Sequence, residues 1–117
     1  SGSPSYRPKW DATPPLLTVT APTVVSGSIV HLKGTATDNT EVKDLYIRVW
    51  NRESKMPPKK AFYLANRGEP TRLSFEADVP LWPGNNLIQV FAREAHEVQS
   101  VQTLMVLQRP GPSISQK

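Results

Sequence analysis

The chain has no cysteine, only two histidines, and no apolar run that a membrane-crossing helix would need. Without cysteine there are no disulfide staples, thiolate nucleophiles or thiolate metal sites. The compartment stays open, because exported and cytosolic domains can both do without cysteine. No stretch of 18 apolar residues exists, so nothing here spans a bilayer as a helix. His31 and His96 lack thiol partners and metal-ligand spacing, which argues against zinc. Six scattered glycines form neither a Gly-x-Gly-x-x-Gly nor a Walker-type phosphate loop. A strong charge is missing too: 14 Lys and Arg against 10 Asp and Glu leave +4. The basic residues are spread along the chain, and Glu53 and two prolines interrupt their tightest cluster, 52–60. A nucleic-acid footprint concentrates charge on one face, so nucleic acid is not the expected partner.

What is present is proline, 12 residues in 117. That length suits one domain with one core. The prolines act as punctuation. None interrupts a β-patterned run, as expected of residues that cannot donate to a ladder. The segment 1–14 opens on Ser1-Gly2-Ser3, which looks like a tag remnant, and continues as a Pro-rich linker. Residues 110–117 read as a flexible tail, leaving a domain at 15–109. The chain therefore reads as a piece excised from a longer protein.

Seven runs lie between these ends: 16–20, 28–37, 42–50, 59–64, 71–79, 87–93 and 101–107. In 28–37, Val30, Leu32 and Ala36 alternate with His31, Lys33, Thr35 and Thr37. In 71–79, Leu73, Phe75, Ala77 and Val79 alternate with Arg72, Ser74, Glu76 and Asp78. Period-two alternation means one buried face and one wet face. The spacing predicts an all-β fold, an immunoglobulin-like antiparallel β-sandwich of about seven strands. With no cysteine pair, packing alone must join its sheets. The turn at Trp82-Pro83-Gly84-Asn85-Asn86 closes the fold with a hairpin, and Trp82 is expected to plug one end of the sandwich. Trp10 is a candidate anchor for the leading linker, and 51–58 is the least regular stretch, a loop able to cover an edge.

Catalytic chemistry has little to draw on. Ser28, Ser74, His31 and Asp38 supply the residue types of a triad, but there is no nucleophile elbow and no oxyanion loop. His31 falls on the wet phase of its run and His96 in a turn. Asp38, Asn39, Glu41 and Asp44 cluster four oxygen-bearing side chains, short of the six or more ligands that calcium takes. The expectation is a chain that is not an enzyme and has no catalytic residue, metal or cofactor.

The remaining signal is aromatic. With Leu45, Ile47 and Val49 inward, Tyr46, Arg48 and Trp50 share the outer face of 42–50. With Ile88, Val90 and Ala92 inward, Leu87, Gln89, Phe91 and Arg93 point outward from 87–93. If the two runs pair, Tyr46, Arg48, Trp50, Leu87, Phe91 and Arg93 form one interaction surface, with Arg48 or Arg93 stacking on the rings. Tyr, Trp and Arg are the types enriched at interface hot spots. The bland alternative is cross-strand pairing that only stabilises a wet face.

These residues resemble a family. Pro15-Leu16-Leu17-Thr18-Val19, then Ile29 onward through Gly34-Thr35-Ala36-Thr37-Asp38, and finally Pro83-Gly84-Asn85-Asn86-Leu87-Ile88-Gln89-Val90-Phe91-Ala92-Arg93, look like a bacterial immunoglobulin-like or fibronectin-III-like accessory domain. Asn51-Arg52-Glu53, Lys60-Ala61-Phe62-Tyr63 and Leu81-Trp82-Pro83-Gly84 are similar to the domain that follows the peptidase region in some bacterial carboxyl-terminal processing proteases. The resemblance implies a non-catalytic module, with the peptidase serine and lysine in another domain of the parent. It also implies a periplasmic or extracellular location at the cell envelope. The expected partner is a neighbouring domain of the parent or another protein. The alternatives are a carbohydrate- or envelope-polymer-binding module, with a polysaccharide stacked on the same aromatics, and a basic nucleic-acid-binding domain.

Overall fold

Each alternating run becomes a strand because its apolar phase finds a facing sheet to cover it. The computed structural model describes residues 14–54, 57–94 and 98–109. Its strands are β1 (Leu16–Thr20), β2 (Val24–Val25), β3 (Ile29–Thr37), β4 (Asp44–Asn51), β5 (Lys59–Ala65), β6 (Arg72–Pro80), β7 (Gly84–Arg93) and β8 (Gln99–Gln108). One sheet has the order β1-β3-β6 and the other β2-β8-β7-β4-β5. The chain is thus the expected all-β sandwich, and all seven predicted runs contain a strand.

Two details depart from expectation. An eighth strand, β2, is only two residues long, too short for any periodicity to reveal. It also runs parallel to β8, with Val24 opposite Leu107 and Val25 opposite Gln108, so the sandwich is not wholly antiparallel. In addition, Pro80 closes β6 rather than following it. It is tolerated because β6 lies at the edge of its sheet. Of the segments expected as linker and tail, only Pro14 lies within the described residues. Trp10 and His96 lie outside them.

The core is the meeting of four inward phases. Val30, Leu32 and Ala36 of β3 and Leu73, Phe75, Ala77 and Val79 of β6 join Leu45, Ile47 and Val49 of β4 and Ile88, Val90 and Ala92 of β7, all buried. Each large side chain so buried contributes ~1.5–3 kcal/mol. The core phase of β3 is broken only by Gly34. A Cβ there would lie 2.3 Å from the Thr18 carbonyl oxygen and 2.7 Å from the Phe75 ring. Glycine is what lets β1 lie close against β3 while Phe75 fills the space beneath.

At one end the core turns polar. Asn51 and Asn86 are register partners on β4 and β7 and are both fully buried. The Asn51 amide donates to Asn86 Oδ1 at 3.0 Å and to the Pro83 carbonyl at 3.2 Å. Asn86 Oδ1 in turn accepts from the Trp82 N–H at 3.0 Å. Asn51 Oδ1 accepts from the Ser54 N–H at 2.8 Å. Asn51 therefore ends β4 and is no loop residue. Trp82 packs half-buried against the core here, as expected of an end plug. Gly84 starts β7 at φ 99°, beside Glu53, whose carboxylate accepts from the Asn85 N–H at 3.0 Å. Residues 51–54 are thus held against the start of β7.

Candidate functional site

Register fixes which side chains stand together on the outer face of the five-stranded sheet. Tyr46 lies opposite Phe91 on β7 and Tyr63 on β5, and Phe91 lies opposite Val101 on β8. Trp50 lies opposite Leu87, and Leu87 opposite Met105. A polar row of Arg48, Gln89 and Thr103 runs between these two apolar rows. The structure therefore places Tyr46, Arg48, Trp50, Leu87, Phe91 and Arg93 on one face of two paired strands.

The rings do not lie open. Tyr46 and Phe91 stack at 4.6 Å between centroids, with planes only 9° apart. Tyr46 and Phe91 are half-buried, as are Trp50 and Leu87 in the other apolar row. The freest apolar groups of this face are ones the sequence reading passed over: Tyr63 at 50% exposure, Met105 at 48% and Val101 at 46%. In the run 101–107 both phases contain apolar residues, so alternation could not say which one faces out. Tyr63 differs little from its neighbours Phe62 and Leu64 in apolar character.

The cations are also arranged differently from expectation. Arg93 carries a bidentate ion pair to Asp44, Nε to Oδ1 at 2.7 Å and Nη2 to Oδ2 at 2.5 Å. Asp44 is buried, with its side chain only 1% exposed, and it also accepts from the Tyr63 hydroxyl at 2.8 Å. The guanidinium holds the Asp44 carboxyl below its ordinary range, and the Tyr63 hydroxyl adds to the effect. Donating to Asp44 raises the Tyr63 phenol. Arg93 still stands 5.7 Å from the Tyr46 centroid. The second cation over Tyr46 is Lys60, at 5.4 Å, and the same ammonium is 5.5 Å from Tyr63. A register shift between Ile47 and Arg48 accommodates an extra residue on β5 and places Lys60 opposite Arg48. Together Tyr46, Arg48, Lys60, Tyr63 and Arg93 line a shallow pocket of about 370 Å³. Lys60, Tyr63 and Asp44 were missed as neighbours of this site. Asp44 had instead been grouped with the oxygens of the 38–44 turn.

The other candidate chemistries come apart in space. His31, on the outer face of the three-stranded sheet, contacts Asp78 through Nδ1 at 2.8 Å and Glu76 through Nε2 at 3.2 Å. Ser74 contacts Thr35 at 3.4 Å instead. Among the described residues no group of three or more His, Asp or Glu side chains could hold a metal ion.

The His31 contacts carry a pH dependence. The Asp78 hydrogen bond raises the imidazole above its ordinary 6.5, and Glu76 adds to it. A raised folded-state pKa stabilises the protein fully below 6.5, and this contribution fades as pH climbs through the folded value. Thermal melts from about pH 5.5 to 8 should therefore show a small loss of stability that shrinks in Asp78→Asn and disappears when Glu76→Gln is added. An NMR titration placing His31 at or below 6.5 would overturn the assignment.

No family model matches the chain, and no curated protein matches it either. Solved structures do. A superoxide reductase (neelaredoxin) of Ignicoccus hospitalis aligns at a TM-score of 0.63 and 9% identity, over 80% of this chain and 79% of that one. Fibronectin(III)-like modules of Clostridium thermocellum CbhA align at 0.56 and 15%, over 82% and 99%. The sensor domain of the anti-sigma factor RsgI4 of Pseudobacteroides cellulosolvens aligns at 0.55 and 17%, over 80% and 76%. At such identities the likeness concerns the fold, which is fibronectin-III-like and immunoglobulin-like.

Proposed function

We propose that this domain is a non-catalytic accessory module that docks or positions a neighbouring domain of its parent protein. The contact is the outer face of the five-stranded sheet. The observation that carries the reading is the pair of apolar rows, Val101-Phe91-Tyr46-Tyr63 and Met105-Leu87-Trp50, in which Val101, Tyr63 and Met105 are exposed and the others half-buried. A sheet face needs no such surplus to fold, and contiguous exposed apolar area marks interaction. Two of the similar structures, the sensor domain and the fibronectin(III)-like modules, are parts of larger proteins, which supports an accessory role. The neighbour suggested by the resemblance of 51–53, 60–63 and 81–84 is a serine-type peptidase domain, in an exported protein of the bacterial envelope.

The test uses the flanking polypeptide of the parent, produced separately and titrated into this chain. Amide shifts should map to β4, β7 and β8. Trp50→Ser with Phe91→Ser should weaken binding about tenfold or more, the scale of losing interface anchors. Melting curves would establish that the double variant still folds. Shifts confined to the three-stranded sheet, or affinity unchanged in a folded double variant, would overturn the reading.

A further inference from the structure

We propose a second site, on the edge of the sandwich rather than its face: the open side of β5 takes up an extended acidic protein segment as an added strand. β5 ends the five-stranded sheet and β6 ends the three-stranded one. Between these edges runs a groove of about 640 Å³, lined by the β5 stretch from Tyr63 to Ala65, with Asn66, and by Arg72, Leu73 and Ser74 of β6. An edge strand turns alternate N–H and C=O groups away from its one partner, and these are a template for another strand.

Guarding of this edge is uneven. Pro57, Pro58, Lys59, Lys60 and the register shift at Arg48 protect the beginning of β5, by the usual devices of proline, lysine and bulge. The stretch Phe62-Tyr63-Leu64-Ala65 carries none of them. The loop beyond it is fixed rather than folded over the edge. The Asn66 amide donates to the carbonyls of Val42 at 2.8 Å and Glu69 at 2.9 Å.

Charge selects the occupant. Arg67 and Arg72 line the groove and are exposed, and Lys60, on the same strand as the groove residue Tyr63, stands over the Tyr63 ring. Among the described residues, ion pairs involve only His31 and Arg93 as the basic partners. These three cations therefore have no carboxylate at ion-pair distance there, while the groove's own acid, Glu69, accepts from the Thr71 hydroxyl at 3.2 Å. A second copy of this chain would bring its own Lys59 and Lys60 to the same edge, like charge against like. An acidic polysaccharide would satisfy the cations but has no backbone ladder to offer β5. A segment alternating acidic and apolar residues meets both demands, with main-chain bonds giving affinity and side-chain pockets giving specificity.

The probe is a peptide of about ten residues that alternates Glu and Val, long enough for a typical strand. It is titrated by NMR to about 1 mM, where even weak association registers. Binding should shift the amides of β5 and β6 and slow hydrogen exchange along 62–65. Replacing Glu by Gln in the peptide, or Arg67 and Arg72 by Glu in the protein, should weaken it about tenfold. Methylating alternate peptide nitrogens should abolish it. Equal binding of the methylated peptide, shifts only on the Phe91 face, no binding at all, or binding of polygalacturonate in place of the peptide would each overturn the proposal. Failure here leaves the docking face untouched, because Trp50→Ser with Phe91→Ser does not alter the β5 edge. Conversely, peptide binding would survive a failure of the docking reading.

Discussion

Gly34→Ala is expected to destabilise the domain by about 3 kcal/mol, lowering its melting temperature on the order of 15 °C. The methyl group would lie 2.3 Å from the Thr18 carbonyl oxygen, which is backbone, and under 3 Å from two carbons of the Phe75 ring. A flexible side-chain end can swing aside, but a paired strand cannot. Either β1 lifts away from β3, losing its ladder from Leu16 to Thr20, or Phe75 is pushed into a packed core. Urea denaturation separates the two outcomes. A lower midpoint at unchanged slope means a strained but complete sandwich, whereas a smaller slope means that less surface is exposed on unfolding because β1 has already detached. Wild-type stability in this variant would refute the close approach of β1.

The second large effect is at Arg93. Arg93→Ala leaves the Asp44 carboxylate buried with the Tyr63 hydroxyl as its hydrogen-bond donor and the Lys43 charge nearby. Breaking a buried pair from one side costs ~3–5 kcal/mol. The Arg93 side chain is 39% exposed, so water reaches the pair, and about 2–3 kcal/mol is the expectation at neutral pH. The pH dependence is the sharper readout. In the wild type the Asp44 pKa is depressed, so the pair stabilises above the ordinary 3.8 and is lost as pH falls through the folded value. In Arg93→Ala, burial favours the neutral acid, and protonation relieves the defect. The gap between variant and wild type should therefore shrink steadily below about pH 5. The double variant Asp44→Ala with Arg93→Ala should be more stable than Arg93→Ala alone, because no charge is left stranded. A gap that does not change with pH would mean the loss is one of packing and not of charge.

The fold was legible where one phase of a run was clearly apolar. The runs 28–37 and 71–79 place Leu32 and Phe75 inward because their neighbours are polar or charged. The shared outer face of Tyr46, Arg48, Trp50, Leu87, Phe91 and Arg93 followed from alternation once the two runs were paired, but the register that stacks Tyr46 on Phe91 did not. Three features were not legible, each for a physical reason. β2 is held by backbone bonds to β8, such as the Leu107 N–H to the Thr23 carbonyl at 2.9 Å, and such bonds leave no mark on residue type. Asn51 and Asn86 occupy core positions that an apolar pattern would assign to solvent or a turn. They are buried only because each satisfies the other and the loop around Trp82. Asp44 is acidic and adjoins a turn, so it reads as solvated. Its burial depends on Arg93, which is 49 residues away in sequence. The extra residue at the start of β5 belongs to the same class, since Lys60 reaches the aromatic face only through a local irregularity in the ladder.

The single parallel pairing has a mechanical consequence. Pro15 sits at the start of β8, where its carbonyl accepts from the Ser100 hydroxyl. Arg109 leaves at the far end, its N–H bonded to the Val25 carbonyl at 3.0 Å. The polypeptide thus enters and exits at opposite poles, about one ten-residue strand apart, roughly 30 Å. Tension applied through the two flanking segments would act along β2 and β8 in opposite senses. It would load their bonds, and the long β7–β8 ladder, in shear all at once rather than peeling them one by one. Under such a load the two residues of β2 would matter more than their length suggests.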